Sequence, residues 1–339
     1  MKETILKHKI QLITLSVLLI AISLISLIKV DYKLTAPGYN NNINTFIEIE
    51  SDYKSSGSFH TTSVIVLNRM TYLQYLVGQV EKKVAVTEIP EYYNHIDIDD
   101  LTIMGYQMKD DSLATSLVAA INKTSLSITY ETFQTVYLTY DYLDANTLEL
   151  GDKLITVNGK DPLTGIDEIE CDTTGEFTVL RDNQELTFDV TRHQLDNGYC
   201  AFGAYIDPLT EIISTEVEYN FVDTNTGGPS GGLLQSLYIF NELTPNDITG
   251  GNKIAGTGTI DVDGNVGAIG GIEQKIITSV MNNIDIFFVP YLSDEDSDNY
   301  IEAKKVLESL SSDMILVPVQ TIDDAITYLE THYGGAFNE

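Results

Sequence analysis

An uncharged apolar run near the N-terminus constrains this chain more than any other feature. It extends from Ile10 to Ile28, between Lys9 and Lys29, and consists mainly of Leu, Ile and Val. At a rise of 1.5 Å per residue, a helix of this length is about 28 Å long, close to the hydrocarbon thickness of a bilayer. A helix also satisfies its own backbone groups in lipid. The run therefore predicts one membrane-spanning helix.

A cleavable signal peptide is the competing interpretation of this run, and a buried helix of a soluble protein is another. A signal peptide has a shorter apolar core and a small-residue cleavage site, whereas Ile28-Lys-Val-Asp-Tyr32 ends this run. Three lysines before the run favour a cytoplasmic N-terminus, and two after it weaken that bias. We expect residues 1–33 to form a cytoplasmic tip and a single transmembrane helix, with everything beyond in the extracellular space.

The rest of the chain is strongly acidic. The 339 residues hold 50 Asp and Glu against 19 Lys and Arg, a net charge of −31. Such a surface repels phosphate backbones and anionic lipid heads, so we expect no nucleic-acid partner.

Cysteine and histidine usage also limits the chemistry. Two cysteines, Cys171 and Cys200, exclude a disulfide scaffold or a Cys-rich zinc site. They either pair in an oxidising compartment or are two buried thiols, since sequence does not fix their distance. The five histidines show no metal-ligand spacing, and we expect no metal and no cofactor.

The part after the apolar run divides into three stretches, and its mixed patterns predict an α+β fold. Residues 34–124 form an N-terminal region with a strand at Ser63–Leu67, a helix at Leu113–Ile121, and no catalytic pattern. Residues 125–193 form a β-rich module, and residues 199–333 form an α+β domain. In that domain we expect a strand at Val217–Phe221, a hairpin turn at Asp261–Val266, a buried strand at Phe287–Val289 that ends at Pro290, and an amphipathic helix at Asp323–Tyr333. In the first stretch, the polar residues Tyr92–Asp100 predict a surface loop.

One phrase, Leu148-Glu-Leu-Gly-Asp-Lys-Leu-Ile-Thr-Val-Asn-Gly159, dominates the β-rich module. Gly151-Asp152 predicts a turn before a strand, and Asn158-Gly159 is a strong hairpin signal. The phrase resembles one found in PDZ domains, which bind extended peptides by adding a strand to a sheet edge. The Gly-Leu-Gly-Phe loop of that family is not visible, and Thr135–Leu138 stands near its place. Binding of free C-termini therefore stays open, as does a module without a ligand.

The first chemical segment is Gly227-Gly-Pro-Ser-Gly-Gly232, followed by the helical run Leu233–Phe240. This order places Ser230 near a helix N-terminus, where unpaired N–H groups can hold a developing oxyanion. A serine hydroxyl is a weak nucleophile and needs a base. On its own, the segment is better explained by Ser230 capping a helix.

The second segment, Ile269–Ile277, supplies a candidate base. Lys275 lies among isoleucines, and apolar surroundings remove hydration and lower the pKa of a lysine. A neutral amine can accept the serine proton, and a Ser–Lys pair is a variant of the catalytic triad. A single lysine on a helix is more often solvated, but the combination with Ser230 favours a dyad.

Four phrases in order carry a family resemblance: Gly228–Gly232, Leu243-Thr-Pro245, Ile254–Ile260 and Gly264–Lys275. They are similar to the proteolytic domain of Lon proteases. Together with the PDZ-like module and the apolar run, they make the chain resemble membrane-anchored, PDZ-containing Lon-like serine peptidases of Gram-positive bacteria. That subgroup includes pheromone-processing peptidases.

The resemblance implies roles for single residues. Ser230 matches the nucleophile, Lys275 the general base, and Thr257 the threonine that helps to orient the lysine. The other matched positions form the oxyanion and substrate loop: Gly228, Pro229 and Gly231. At the last of these the family usually has alanine, and we expect the smaller residue to be tolerated.

The resemblance further implies a serine endopeptidase. Full-length Lon enzymes carry an ATPase, but no Gly-x-x-x-x-Gly-Lys-Ser/Thr loop occurs in these 339 residues. We therefore expect ATP-independent cleavage of extracellular peptides, signalling peptides among them, or of exposed protein segments. Lon-type domains often form rings, so a homo-oligomer is compatible with the resemblance.

Other functions are less well supported. Gly228–Gly232 also fits the Gly-x-Ser-x-Gly elbow of α/β-hydrolases, but only His332 follows it. Asp294–Asp298 resembles a calcium loop, yet Asn299 and Lys305 stand where glycine and the closing glutamate belong. A catalytically inactive PDZ-type binding or scaffold protein at the cell surface is the alternative function.

Overall fold

The computed structural model describes residues 2–89, 96, 98–139, 147–195, 198–293, 295 and 297–334. The helices are α1 (Lys2–Ile25), α2 (Tyr72–Gly78), α3 (Ile98–Ile121), α4 (Pro162–Asp167), α5 (Gly232–Leu243), α6 (Ile272–Met281), α7 (Asn299–Leu310) and α8 (Ile322–His332). The strands are β1 (Tyr32–Asn42), β2 (Ile47–Ile49), β3 (Ser58–Leu67), β4 (Ala85–Glu88), β5 (Ile128–Thr139), β6 (Lys153–Val157), β7 (Thr173–Arg181), β8 (Gln184–Gln194), β9 (Cys200–Ala201), β10 (Ala204–Thr215), β11 (Tyr219–Phe221), β12 (Lys253–Gly256), β13 (Thr259–Ile260), β14 (Val266–Gly267), β15 (Ile286–Pro290) and β16 (Ile315–Val319).

The predicted apolar run is helical in α1. The part from His8 to Ile25 is long and apolar enough to cross a membrane, and its side chains are exposed. The same length and composition also occur in signal sequences. The helix ends before the run does, because Ile28 and Val30 instead form backbone hydrogen bonds with Tyr72 and Met70.

A six-stranded mixed sheet supports the helices of the C-terminal part. Its strand order is β16-β15-β12-β3-β1-β4. β3 pairs antiparallel with β1 and parallel with β12, and β12, β15 and β16 are mutually parallel. Helix α5 packs on this sheet, and α3 packs on α5 and on β5 and β10, through buried apolar side chains such as Leu117, Ile121, Leu233 and Leu237. The predicted buried strand ending at Pro290 is confirmed as β15.

An antiparallel sheet in the order β10-β5-β6-β7-β8-β9 lies between α3 and α5 in the chain. The strand predicted after Gly151-Asp152 is β6, and Thr135–Leu138 lies within β5. The turn predicted at Asn158-Gly159 forms, with reciprocal backbone hydrogen bonds between Val157 and Lys160, but no second strand follows it, because β6 reaches β7 through α4. Asp161 caps this helix and Pro162 occupies its first turn, a combination that favours a helix start. Cys171 and Cys200 form a disulfide.

Several shorter predictions also have outcomes. The turn at Asp261–Val266 connects the paired strands β13 and β14, as predicted. The C-terminal helix is α8, and the predicted strand at Val217–Phe221 is the shorter β11. The loop predicted at Tyr92–Asp100 lies partly outside the described residues. Its end starts α3, where acidic Asp99 and Asp100 favour the helix N-terminus.

Candidate active site

Ser230 lies in the loop that enters α5. The loop turns at Gly228, whose φ of +91° suits glycine, and it ends at Gly231, the N-cap of α5. No side chain caps the helix there. The structure therefore places Ser230 beside an uncapped helix N-terminus, as the sequence predicted.

Helix α3 supports this loop from behind. The N–H of Gly228 donates to the carbonyl of Gly105 at 2.7 Å, and Ser112 Oγ donates to the carbonyl of Pro229 at 3.0 Å. A Cβ at Gly227 would lie 3.1 Å from the carbonyl carbon of Gly105, so the two backbones approach closely. Sequence reasoning found no catalytic pattern in residues 34–124 and missed both supporting residues.

A buried polar group links α3 to α5 beneath the loop. The Oε1 atom of Gln235 lies 3.3 Å from Ser112 Oγ and 3.1 Å from Ser116 Oγ. Ser116 Oγ, which has one hydrogen to donate, also lies 2.6 Å from the carbonyl oxygen of Ser112 and 3.0 Å from that of Gly232. The available sequence signal was the pair Ser112 and Ser116, four positions apart in an otherwise apolar helical segment. A buried hydroxyl requires a hydrogen-bond partner, so this pair indicates a buried polar contact.

Lys275 projects from the first turns of α6, which begins after Gly271. The residue is 2% exposed, and its Nζ lies 2.7 Å from Ser230 Oγ. Burial lowers the pKa of Lys275 to about 7, because desolvation penalises the charged amine. Near neutral pH this amine is therefore partly uncharged and close enough to the serine to accept its proton.

Thr257 contacts both of these residues. Its Oγ1 lies 2.8 Å from Lys275 Nζ and donates to the carbonyl of Ser230 at 3.0 Å. Thr257 follows β12 directly, and its own N–H donates to the carbonyl of Phe288 at 3.0 Å. Because the hydroxyl hydrogen of Thr257 is donated to the carbonyl of Ser230, the lone pairs of the Thr257 oxygen face the amine of Lys275. The three side chains proposed from the sequence thus meet in one place.

Gly231 leaves space that its neighbours use. A Cβ at this position would lie 2.9 Å from Gln235 Nε2 and 3.0 Å from Thr61 Cγ2. The backbone φ of −90° is open to any residue. A side chain at this position would therefore press on Gln235 and Thr61, whereas the backbone conformation does not call for glycine.

A groove of about 430 Å³ opens at Ser230 and Lys275. One side is β3, whose residues from Thr61 to Val66 line it, and the other is the loop from Thr224 to Gly228. β12 pairs with β3 only as far as Thr61, so no described strand pairs with β3 beyond that point on this side. Among the described residues lining the groove there is no carboxylate, and the lysines that line it are Lys275 and Lys109.

The weaker sequence candidates have other roles. Asp298 accepts backbone N–H groups of Leu292 and Tyr300 at 2.7 and 2.9 Å and so caps α7. Asp294 lies outside the described residues. His332 Nδ1 lies 2.7 Å from the carbonyl of Tyr328 within α8. In the part of the chain that the structure describes, no group of three His, Cys, Asp or Glu side chains is arranged to hold a metal ion.

Comparison with known proteins adds to this geometry. Residues 222–331 match the family model of the Lon protease (S16) C-terminal proteolytic domain. Lon protease of Neorickettsia sennetsu is 28% identical over 105 residues, which cover 31% of this chain and 12% of that protein. Lon protease of Vibrio parahaemolyticus is 28% identical over 103 residues, 30% of this chain and 12% of that protein. Lon protease of Campylobacter jejuni is 23% identical over 175 residues, 48% of this chain and 21% of that protein.

These matches cover little of the relatives, since the chain spans 12% of the length of the first two. The family-model match over residues 222–331 does contain all three side chains described above. The part of the chain from 222 to 331 is therefore similar to the proteolytic domain of Lon proteases, and this similarity suggests a serine peptidase.

Proposed function

We propose that this chain is a serine endopeptidase in which Ser230 is the nucleophile and Lys275 the general base. The observation that carries the proposal is the 2.7 Å distance between Ser230 Oγ and a buried lysine amine. The neutral amine takes the hydroxyl proton as Oγ attacks a peptide carbonyl carbon, and the resulting ammonium protonates the leaving amine. Lys275 then deprotonates the water that hydrolyses the acyl-enzyme, and Ser230 recovers its proton.

The surrounding residues support the same reaction. The first N–H groups of α5, those of Gly232 and Leu233, already donate to the carbonyls of Pro229 and Gly258. The oxyanion is therefore held by the loop before the helix, in which Gly228 and Pro229 position the backbone N–H groups of Ser230 and Gly231. Thr257 is a positioning residue, because it holds the amine against Ser230.

The groove suits an extended peptide. The unpaired side of β3 offers backbone N–H and C=O groups, to which a substrate segment can add as a strand. No phosphate-loop motif occurs in the 339 residues, so we propose cleavage without ATP of peptides or exposed protein segments.

We further propose that α1 anchors the chain as a single-pass membrane protein with the remainder outside the cytoplasm. The disulfide between Cys171 and Cys200 supports this orientation, because disulfides persist in oxidising compartments. We retain residues 125–193 as a PDZ-like module that binds extended peptides. Thiol alkylation of intact cells tests the orientation. We expect Cys171 and Cys200 to react with the alkylating reagent only after their disulfide has been reduced. Labelling of either thiol without a reductant would contradict the orientation.

The peptidase is tested with the full chain in proteoliposomes. Peptide cleavage and serine labelling by a fluorophosphonate are expected in the wild type and lost in Ser230→Ala. Cleavage is also expected to disappear in Lys275→Ala, whereas Lys304→Ala, which changes an exposed lysine of α7, serves as the matched control. Equal cleavage in all four proteins would refute the dyad and favour the inactive binding protein.

A further inference from the structure

An apolar surface on α2 adjoins the end of the N-terminal helix. This surface, the α2 face, consists of Tyr72, Leu76, Val77 and Val80. All four are exposed, Val77 by 57% and Val80 by 79%. Three of them are four positions apart, which places them on one side of α2 and the turn that follows it.

The opposite side of α2 is packed against the sheet. A Cβ at Gly78 would lie 2.7 Å from Val86 Cγ2, and the ring centroid of Tyr75 lies 4.8 Å from that of Tyr32. Because this packing fixes the helix orientation, the α2 face stays turned outward. The four adjacent apolar side chains of the α2 face are therefore left in contact with water. Only a partner outside the described part of the chain can bury them.

Backbone hydrogen bonds tie α2 to the segment that leaves α1. The N–H of Tyr72 donates to the carbonyl of Ile28 at 2.8 Å, and the N–H of Val30 donates to that of Met70 at 3.0 Å. A helix of this length is about 10 Å long, so the α2 face lies within about that distance of Ile28. The polar layer on each side of a bilayer is about 5–7 Å deep. An inserted α1 therefore brings the α2 face to the level of the lipid headgroups.

Positive charge surrounds this surface in an otherwise acidic chain. The segments 27–33 and 69–83 contain five basic residues and two acidic ones: Lys29, Lys33, Arg69, Lys82 and Lys83, and Asp31 and Glu81. An apolar face with basic neighbours is the combination that binds anionic lipid surfaces. The repulsion of such lipids that we expect from the acidic chain as a whole therefore meets a local charge of opposite sign at this surface.

We propose that the α2 face rests on the anionic surface of the bilayer that holds α1. The contact fixes the active-site groove near the membrane, because β3 leads from the groove toward α2. Val66 lines the groove, and four residues of chain to Met70 span at most about 14 Å. The substrates are then segments of membrane-tethered peptides close to the bilayer, a consequence that rests on the proposed peptidase function.

Tryptophan fluorescence tests the docking, because the chain contains no tryptophan. The full chain carrying Val80→Trp is reconstituted in vesicles of phosphatidylcholine and phosphatidylglycerol, with and without brominated acyl chains. We expect the emission to shift to shorter wavelength and to be quenched by bromine. Leu163→Trp is the matched control, since Leu163 is 56% exposed on α4 of the other sheet, and it is expected to remain unquenched. Equal emission behaviour of the two variants would overturn the proposal, as would N-terminal sequencing that shows α1 removed.

A second measurement separates docking from catalysis. In Val77→Asp/Val80→Asp, we expect kcat/KM for a free peptide to be unchanged. We expect kcat/KM for a lipid-anchored peptide to fall by about tenfold, because α1 still tethers the chain but the groove is no longer held at the membrane surface. An unchanged kcat/KM for the lipid-anchored peptide would refute the docking. Normal quenching in a protein that cleaves no peptide would refute the peptidase but leave the docking intact.

Discussion

Lys275 Nζ lies 2.7 Å from Ser230 Oγ across a separation of 45 positions in the chain. The contact brings the loop before α5 against the first turns of α6, and no carboxylate among the described residues pairs with the amine. Desolvation alone lowers the pKa of Lys275. The structure thus produces a basic amine near neutral pH by removing water and not by adding charge.

The activity is expected to follow the titration of Lys275. Because only the neutral amine accepts a proton, kcat/KM for a short peptide should rise with pH, reach half its plateau near pH 7 and stay level above it. Steady-state kinetics over a pH series measure this profile. A midpoint near the ordinary lysine pKa would show that the amine is solvated and would contradict the burial of Lys275.

Replacement of Thr257 is expected to change both the rate and the pH profile. Its oxygen accepts from Lys275 and favours the protonated amine, so Thr257→Val should lower kcat/KM by about 10- to 100-fold and move the midpoint to lower pH. Thr257→Ser keeps the hydroxyl and should restore most of the rate. A Val variant with a wild-type profile would mean that Thr257 only packs.

The sequence identified the reacting groups more readily than the residues that hold them in place. Ser230, Lys275 and Thr257 occur in local phrases that are recognisable without tertiary structure. Gly105 and Ser112 act through contacts across more than a hundred positions, which no local pattern encodes. The α2 face was also invisible, because its meaning depends on the backbone pairing with the end of α1.

The same limit of local patterns explains why the sequence did not show which element follows the turn at Asn158-Gly159. The dipeptide does produce a turn, with Asn158 at a φ of +53°, but Asp161-Pro162 then starts α4. A local turn signal determines that the chain reverses and not which element follows. The strand pairing of β6 with β7 is nevertheless formed, because their apolar residues share one core.

The close packing at Gly231 is expected to make this position sensitive. Gly231→Ala places a methyl group against Gln235 and Thr61, so the Gln235 amide must move away from the loop. We expect a loss of about 1 kcal/mol in the free energy of unfolding and several-fold lower kcat/KM. Gly231→Ala combined with Gln235→Ala should lose less than the sum of the two single variants, because removing the amide frees the space. Additive losses would show that the methyl group conflicts elsewhere.

Lys109 is expected to favour acidic residues in the substrate. It is buried beside the groove, and its ion-pair partners Asp110, at 3.1 Å, and Asp223, at 3.9 Å, are both largely exposed and readily released to water. A peptide with glutamate should be cleaved about tenfold better than its glutamine counterpart, as for a charge-assisted hydrogen bond. Lys109→Gln should abolish this preference, and Lys123→Gln, which removes a lysine paired with Asp323, should keep it. If both variants keep the same preference for glutamate over glutamine, a residue other than Lys109 causes it.

Replacing Lys275 by an apolar residue is expected to stabilise the fold while abolishing cleavage. Burial lowers the pKa in the folded state to about 7, so at or below that pH the folded protein carries the full cost of a desolvated ammonium. The unfolded chain retains its proton up to the ordinary lysine pKa, so wild-type stability rises with pH between these two values. Lys275→Met should therefore raise the free energy of unfolding by a few kcal/mol at pH 6, with a gain that shrinks toward pH 10. Urea unfolding at both pH values measures the difference, with Lys304→Met as the exposed control, and an equal gain at both would exclude charge burial as its cause.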